Sequence, residues 1–234
     1  QSNRVASGSS LSGSDDEKET VTQEFTRTLD MANNAEADER YWVAEQYHLE
    51  RIQMIKNYPL FKTLSEYRLG AFLEFGQFMQ RRAAWTLLLA KASASTLLTP
   101  GLKSSNVDLL LEDAQYFTSR ARQAIETAVT IDPMCCDAVL LLASILLENQ
   151  EYDKAYTVIQ DLMNRLLNRK ERSEGEVNFE FNFDDFDGYH TDELVQPDSQ
   201  SINPMVYVLL SLIFTTKGNA LGARKAILMA NRYI

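Results

Sequence analysis

The chain has 234 residues, 45% of them hydrophobic, with nine glycines and five prolines; it is long enough to bury a core and too poor in chain-reversing residues for a sheet with many tight turns. Helix formers such as Leu, Ala, Glu, Gln and Arg are plentiful, so an all-α class is expected. The formal net charge of −10 works against binding a phosphate backbone, which needs a clustered cationic stripe, and nucleic acid is set aside as a partner.

Residues 1–20 are rich in Ser and Gly and then in Asp and Glu. With almost nothing apolar to offset ordering entropy, they read as a disordered lead-in. A helical repeat region is expected over 21–170. Its pattern starts near Val21 and strengthens over 38–58, where Tyr41, Trp42, Ala44, Leu49, Ile52 and Ile55 share one broad arc. Pro59 ends that helix by restricting Tyr58. Two further helices are expected at 64–75 and 81–98, separated by Gly76-Gln77 and closed by Thr99-Pro100-Gly101. Next comes one long helix over 107–131, whose stripe of Ala114, Ala121, Ala124 and Ala128 implies close helix-to-helix approach. Asp132-Pro133 stops it, and helices over 136–148 and 152–169 follow.

Over 171–202 the helical period is lost and an acidic, aromatic insertion is expected. Residues 171–200 hold ten carboxylates against Arg172, which accounts for −9 of the net charge. Phe179, Phe181, Phe183, Phe186 and Tyr189 lie among them, and burial of several aromatics outweighs a repulsion that salt largely screens. The stretch 179–186 is therefore expected to dock, on this chain's own groove or on a partner. A final helical pair occupies 203–234, with Asn203 as N-cap, Pro204 at the first helical position and a break at Lys217-Gly218-Asn219.

Little of this sequence carries chemistry. Cys135 and Cys136 are adjacent, a spacing that suits neither a disulfide framework nor a zinc site, and they read as reduced structural thiols. The segment 184–188 imitates part of an EF-hand, but that register puts Phe183 at the first ligand position and Leu194 where a bidentate Glu is required. His48 falls on an apolar helical arc as a core residue, and His190 has no second His beside it. Phosphate loops, zinc-protease motifs and nucleophile elbows are all missing from the sequence, so neither an enzyme nor a cofactor or metal site is expected. The longest apolar runs, 138–147 and 205–214, are about half of a bilayer span. With no glycosylation sequon and no apolar signal core, the chain is expected to be cytoplasmic, and to be a piece of something larger because its first residue is not Met.

Helix pairs of this size call for a test of internal period near 34 residues. Val139, Leu142, Ala143, Leu146, Tyr152, Ala155, Ile159 and Leu162 follow one order of large, small and aromatic positions; Tyr207, Leu210, Ser211, Phe214, Ala220, Ala223, Ile227 and Ala230 repeat it. Ala121, Ile125, Ala128 and Pro133 supply the second half of an earlier repeat. Leu69, Gly70, Leu73, Ala83, Leu87 and Ala90 fit another with one extra turn residue. The order resembles that of the tetratricopeptide repeat family. That resemblance implies antiparallel helical hairpins stacked as a right-handed superhelix, an α-α solenoid, serving as a non-catalytic protein-interaction scaffold. The stretches 71–78 and 148–155 resemble degenerate-repeat proteins of cilia and flagella.

The face that lines the family's concave groove falls on Asp137, Leu140, Leu141 and Ser144, then on Met205, Val208, Leu209 and Leu212. No cation is among them, so the family's carboxylate clamp is not expected. An apolar partner groove lined by Leu140, Ser144, Leu147, Val208 and Leu212 is expected instead, the alternative being core residues covered by a neighbouring helix. The last helix carries Ile227, Leu228, Met229 and Ala230 with no polar helix after it. That surface is expected to be covered by more chain or in a homo-oligomer, which would make the chain a structural capping or oligomerisation module.

Overall fold

A computed structural model describes residues 13–96, 105–171 and 203–232. Among them are nine helices and no strand, in the order α1 (Gly13–Ala37), α2 (Tyr41–Asn57), α3 (Leu60–Thr63), α4 (Ser65–Thr96), α5 (Ser105–Ile131), α6 (Cys136–Glu148), α7 (Tyr152–Glu171), α8 (Pro204–Thr216) and α9 (Ala220–Arg232). The described residues are thus all-helical, as expected. They fall into two compact units divided between Phe75 and Gly76.

In the first unit α1 and α2 pack as a hairpin. α1 begins at Gly13, ahead of the expected start at Val21. Acidic residues near a helix N-terminus offset the helix dipole, which is why an acidic stretch need not oppose helix. Residues 1–12 lie outside the described residues. Phe25, Phe61 and Tyr67 form an aromatic cluster, with ring centroids 4.8 Å apart for Phe25 and Phe61 and 5.5 Å for Phe25 and Tyr67. Phe61 comes from α3, a single turn that follows Pro59 and that sequence periodicity missed.

Arg51 of α2 is buried, its guanidinium 4.4 Å from the centre of the Phe25 ring and paired with Glu74. A buried cation survives desolvation only with such partners, and these three residues join α1, α2 and α4. His48 is buried beside them, its ring centroid 6.1 Å from that of Phe75. Trp42, expected on the buried arc, is 73% exposed. The core face of α2 runs through Ala44, His48, Arg51, Ile52 and Ile55, and Trp42 falls on the opposite side of the helix.

The second unit opens with the rest of α4. Gly76-Gln77 does not break this helix, which runs unbroken for 32 residues, so the hairpin read through Leu69, Gly70, Leu73, Ala83, Leu87 and Ala90 is not formed. The glycine serves close approach rather than a turn: a methyl group at Gly76 would overlap the buried side chain of Ile125. Farther along, the Arg82 guanidinium lies 4.5 Å from the centre of the Phe117 ring. α4 and α5 are therefore antiparallel, and the expected alanine stripe of α5 is buried at Ala114, Ala121, Ala124 and Ala128.

The next helices match the sequence reading closely. α6 and α7 pack together, as do α8 and α9; α5 packs on α6, and α8 packs on both α6 and α7. Asn203 caps α8, its side chain accepting from the Met205 N–H at 3.0 Å, with Pro204 in the first turn. The α1–α2, α6–α7 and α8–α9 turns share one geometry. Glu39, Gln150 and Gly218 take left-handed φ values of 58°, 62° and 75°. The next N–H then donates back into the preceding helix at 2.8 Å, from Arg40 to the Ala35 carbonyl, from Glu151 to Leu146 and from Asn219 to Phe214. This is the Schellman closure, which satisfies carbonyls that a helix end leaves open.

Two glycines of α4 give opposite expectations for the same substitution. Ala for Gly in a free helix position stabilises by about 1 kcal/mol. Gly70→Ala should do so, because its new Cβ would meet nothing closer than the Glu74 Oε1 at 4.0 Å. Gly76→Ala instead overpacks Ile125 at a cost of about 1–3 kcal/mol. Urea unfolding followed by circular dichroism should place the Gly76→Ala midpoint below the wild type and the Gly70→Ala midpoint at or above it.

Candidate partner-binding surfaces

The groove residues expected from the sequence lie on α6 and α8, which contact each other. Leu140, Ser144, Leu147 and Val208 are half-buried, and Leu212 is 51% exposed beside an exposed Met205. On the opposite sides of these helices Val139, Leu142, Ala143, Leu146, Tyr207, Leu210, Ser211 and Phe214 are buried. Both helices thus divide into a core stripe and a second apolar stripe that stays partly open. The aromatic residues Phe179, Phe181, Phe183 and Phe186, with Tyr189, His190 and the partial EF-hand at 184–188, lie outside the described residues.

A second concavity, missed by the sequence reading, has a volume of about 580 Å³ and lies between α4, α5 and the end of α6. Leu87 and Leu111 supply its apolar wall, Gln80, Gln115 and Asn149 its amides, and Arg81, Arg122 and Glu148 its charges. Breaking the helical period at Gly76 concealed it. Carried through, that period sets Gln80, Ala83, Ala84 and Leu87 on one face of α4 and Leu111, Ala114, Gln115 and Thr118 on one face of α5. Desolvation pushes the Glu148 carboxyl above the usual carboxylate range. The mixed lining suits a polypeptide side chain more than a small apolar ligand.

Polar contacts join successive hairpins where one hairpin's second helix meets the turn of the next. Arg122 of α5 pairs with Glu151 in the α6–α7 turn and, at 2.8 Å, with Glu126 on its own helix. Lys217 in the α8–α9 turn lies 4.9 Å from the centre of the Tyr156 ring and 2.7 Å from an Asp153 carboxylate oxygen. Hydrogen bonds from Lys154 and then Arg122 hold the Glu151 carboxyl below its usual range, while Glu126 and then Glu151 raise Arg122.

Burial first, then Cys135 and Asp137, pushes the Cys136 thiol up, away from the thiolate that nucleophilic chemistry uses. Among the described residues no group of three or more His, Cys, Asp or Glu side chains is arranged to hold a metal ion, and no helix is long and apolar enough to cross a membrane. Comparison with known proteins gave no matching protein-family model and no matching curated sequence.

The junction at Glu151 has a signed pH dependence. A carboxyl held low in the folded state contributes stability that is present above the unfolded pKa and lost as pH falls through the folded one. Arg122→Met should therefore lower the urea midpoint at neutral pH, and its difference from wild type should shrink in acid below the usual carboxylate range. An equal difference at both pH values would assign the effect to lost packing of the Arg122 stem.

Proposed function

We propose that this chain is a non-catalytic protein-interaction scaffold of tetratricopeptide type, its hairpins stacked as a right-handed α-α solenoid. The observation that carries the reading is the double use of α6 and α8. One stripe of each helix is consumed by packing, and the other, through Leu140, Ser144, Leu147, Val208 and Leu212, keeps apolar surface accessible. Burial of Ala143, Ala155, Leu162, Ala223 and Ala230 at the family's helix-crossing positions supports the same reading.

The groove would take an extended or helical segment with apolar anchors, since no cation offers itself to a terminal carboxylate. A ciliary or flagellar assembly is the setting implied by the stretches 71–78 and 148–155. Photo-crosslinking tests the groove directly, with a photoreactive residue in place of Val208 and a second version carrying it at exposed Glu126. Adducts to a partner should form from the groove position and not from Glu126, and Leu212→Asp should abolish them with the helical circular dichroism unchanged. Equal yields from both positions would defeat the proposal.

A further inference from the structure

The α4–α5 pair has two sides. Gln80, Ala84 and Leu87 from α4 and Leu111, Gln115 and Thr118 from α5 line the cleft, which fixes the first. With about 3.6 residues per turn, Trp85 and Leu89 of α4 and Leu109, Asp113, Tyr116 and Arg120 of α5 fall on the second. The Gly76–Ile125 and Arg82–Phe117 contacts hold the two helices antiparallel, so these residues share one face. Four of them are large, apolar and open to water: Trp85 is 54% exposed, Leu89 41%, Leu109 59% and Tyr116 53%. Exposed Trp and Tyr grouped in this way are the residue types that protein interfaces collect.

The charges on the same face specify what covers it. Leu109, Asp113, Tyr116 and Arg120 follow one another at steps of four, three and four residues, the spacing by which one helix lies along another. Asp113 stands three residues before Tyr116, and Arg120 four after it. On the N-terminal side of Tyr116 every charge of α5 is acidic, namely Asp108, Glu112 and Asp113, and the next two charges past it are Arg120 and Arg122. A second copy of α5 laid antiparallel across Tyr116 therefore meets Arg120 with Asp113, and two-fold symmetry repeats the pair at the other end. A parallel copy would set Asp113 on Asp113 and Arg120 on Arg120. A wholly acidic or wholly basic partner helix would match one half of the stripe and oppose the other, whereas the chain's own stripe matches both.

We infer that this face joins two copies of the chain. α5 packs antiparallel on α5 of the second copy about a two-fold axis at Tyr116, with Asp113 of each copy against Arg120 of the other and with Trp85 and Leu89 flanking the contact. This inference is independent of the α6–α8 groove, which lies on other helices.

Sedimentation equilibrium of the full chain at micromolar concentration should find a dimer. Asp113→Arg and Arg120→Glu should each weaken it roughly tenfold or more, because each sets like charges together at both ends of the contact. Mixed in equal amounts, the two variants should associate again, since the two reversed charges then face each other and the two native ones do likewise. Asp113 is exposed and Arg120 half-buried, and circular dichroism checks that both variants stay folded. A second readout avoids charge: in a chain carrying Cys135→Ser and Cys136→Ser, Tyr116→Cys should give a disulfide-linked dimer under mild oxidation, and Gln115→Cys, on the cleft side, should not. If a charge variant loses its helical signal, this cross-link decides alone. The inference is overturned if the full chain sediments as a monomer, if the mixed variants stay monomeric, or if Gln115→Cys links as readily as Tyr116→Cys. A dimer that both charge reversals leave intact overturns it equally, because the copies then meet through another surface.

Discussion

Because Gly76 has no side chain, Ile125 lies directly against the α4 backbone, and this contact fixes where along α4 the helix α5 packs. The Arg82–Phe117 contact then follows from the antiparallel register. On α5, Ala121, Ala124 and Ala128 keep the helix surface low around Ile125, so that neighbouring helices can close on it. A larger residue at Ile125 would force α4 and α5 apart. A smaller one than isoleucine would leave a void where Gly76 offers nothing to fill it. The second unit thus rests on paired absence and presence: a missing side chain on one helix and a branched one on its neighbour.

Electrostatics plays a different part in the two units. In the first, Arg51 is withdrawn from water and has to be satisfied by Phe25 and Glu74, so its charge specifies how three helices meet rather than adding much net stability. In the second, the charged contacts sit at hairpin turns and remain partly hydrated. Arg122 with Glu151, and Lys217 with Asp153 and Tyr156, are of the kind that contributes little energy each and still penalises a wrong pairing of hairpins. The Schellman turns assist by bringing Glu151 and Lys217 to the same end of each hairpin.

How much of this was legible in the sequence depends on whether a residue has one physical meaning or two. Asn203-Pro204, Asp132-Pro133 and Lys217-Gly218-Asn219 have one, and the helix boundaries they imply agree with the structure. Gly76 has two, since a residue without a side chain serves a turn and a close approach equally well. Only the position of Ile125 decides between them, and that is a tertiary fact. Trp42 misled for a related reason: a large apolar residue reads as core until the neighbours on the true face are known, and here it lies on the far side of the helix. The expected groove residues Leu140, Leu147, Val208 and Leu212 came from the resemblance of the sequence to the tetratricopeptide pattern. Their partial exposure could not be read there, because it depends on which helices stand opposite.

The inner faces of the helices differ in how closely they repeat. α5 and α9 share Ala, Arg, Ala, Ile and Ala at five matching places, whereas α6 and α8 present Val139, Leu142, Ala143 and Leu146 against Tyr207, Leu210, Ser211 and Phe214. Small side chains on α5 let a neighbouring backbone approach, as Gly76 of α4 does at Ile125. The covering helix has to fill the remaining volume, which many combinations of aliphatic and aromatic residues do when the total is kept. On α7 the same places hold Ala155, Tyr156, Val158, Ile159 and Leu162, so the full match is between α5 and α9 alone.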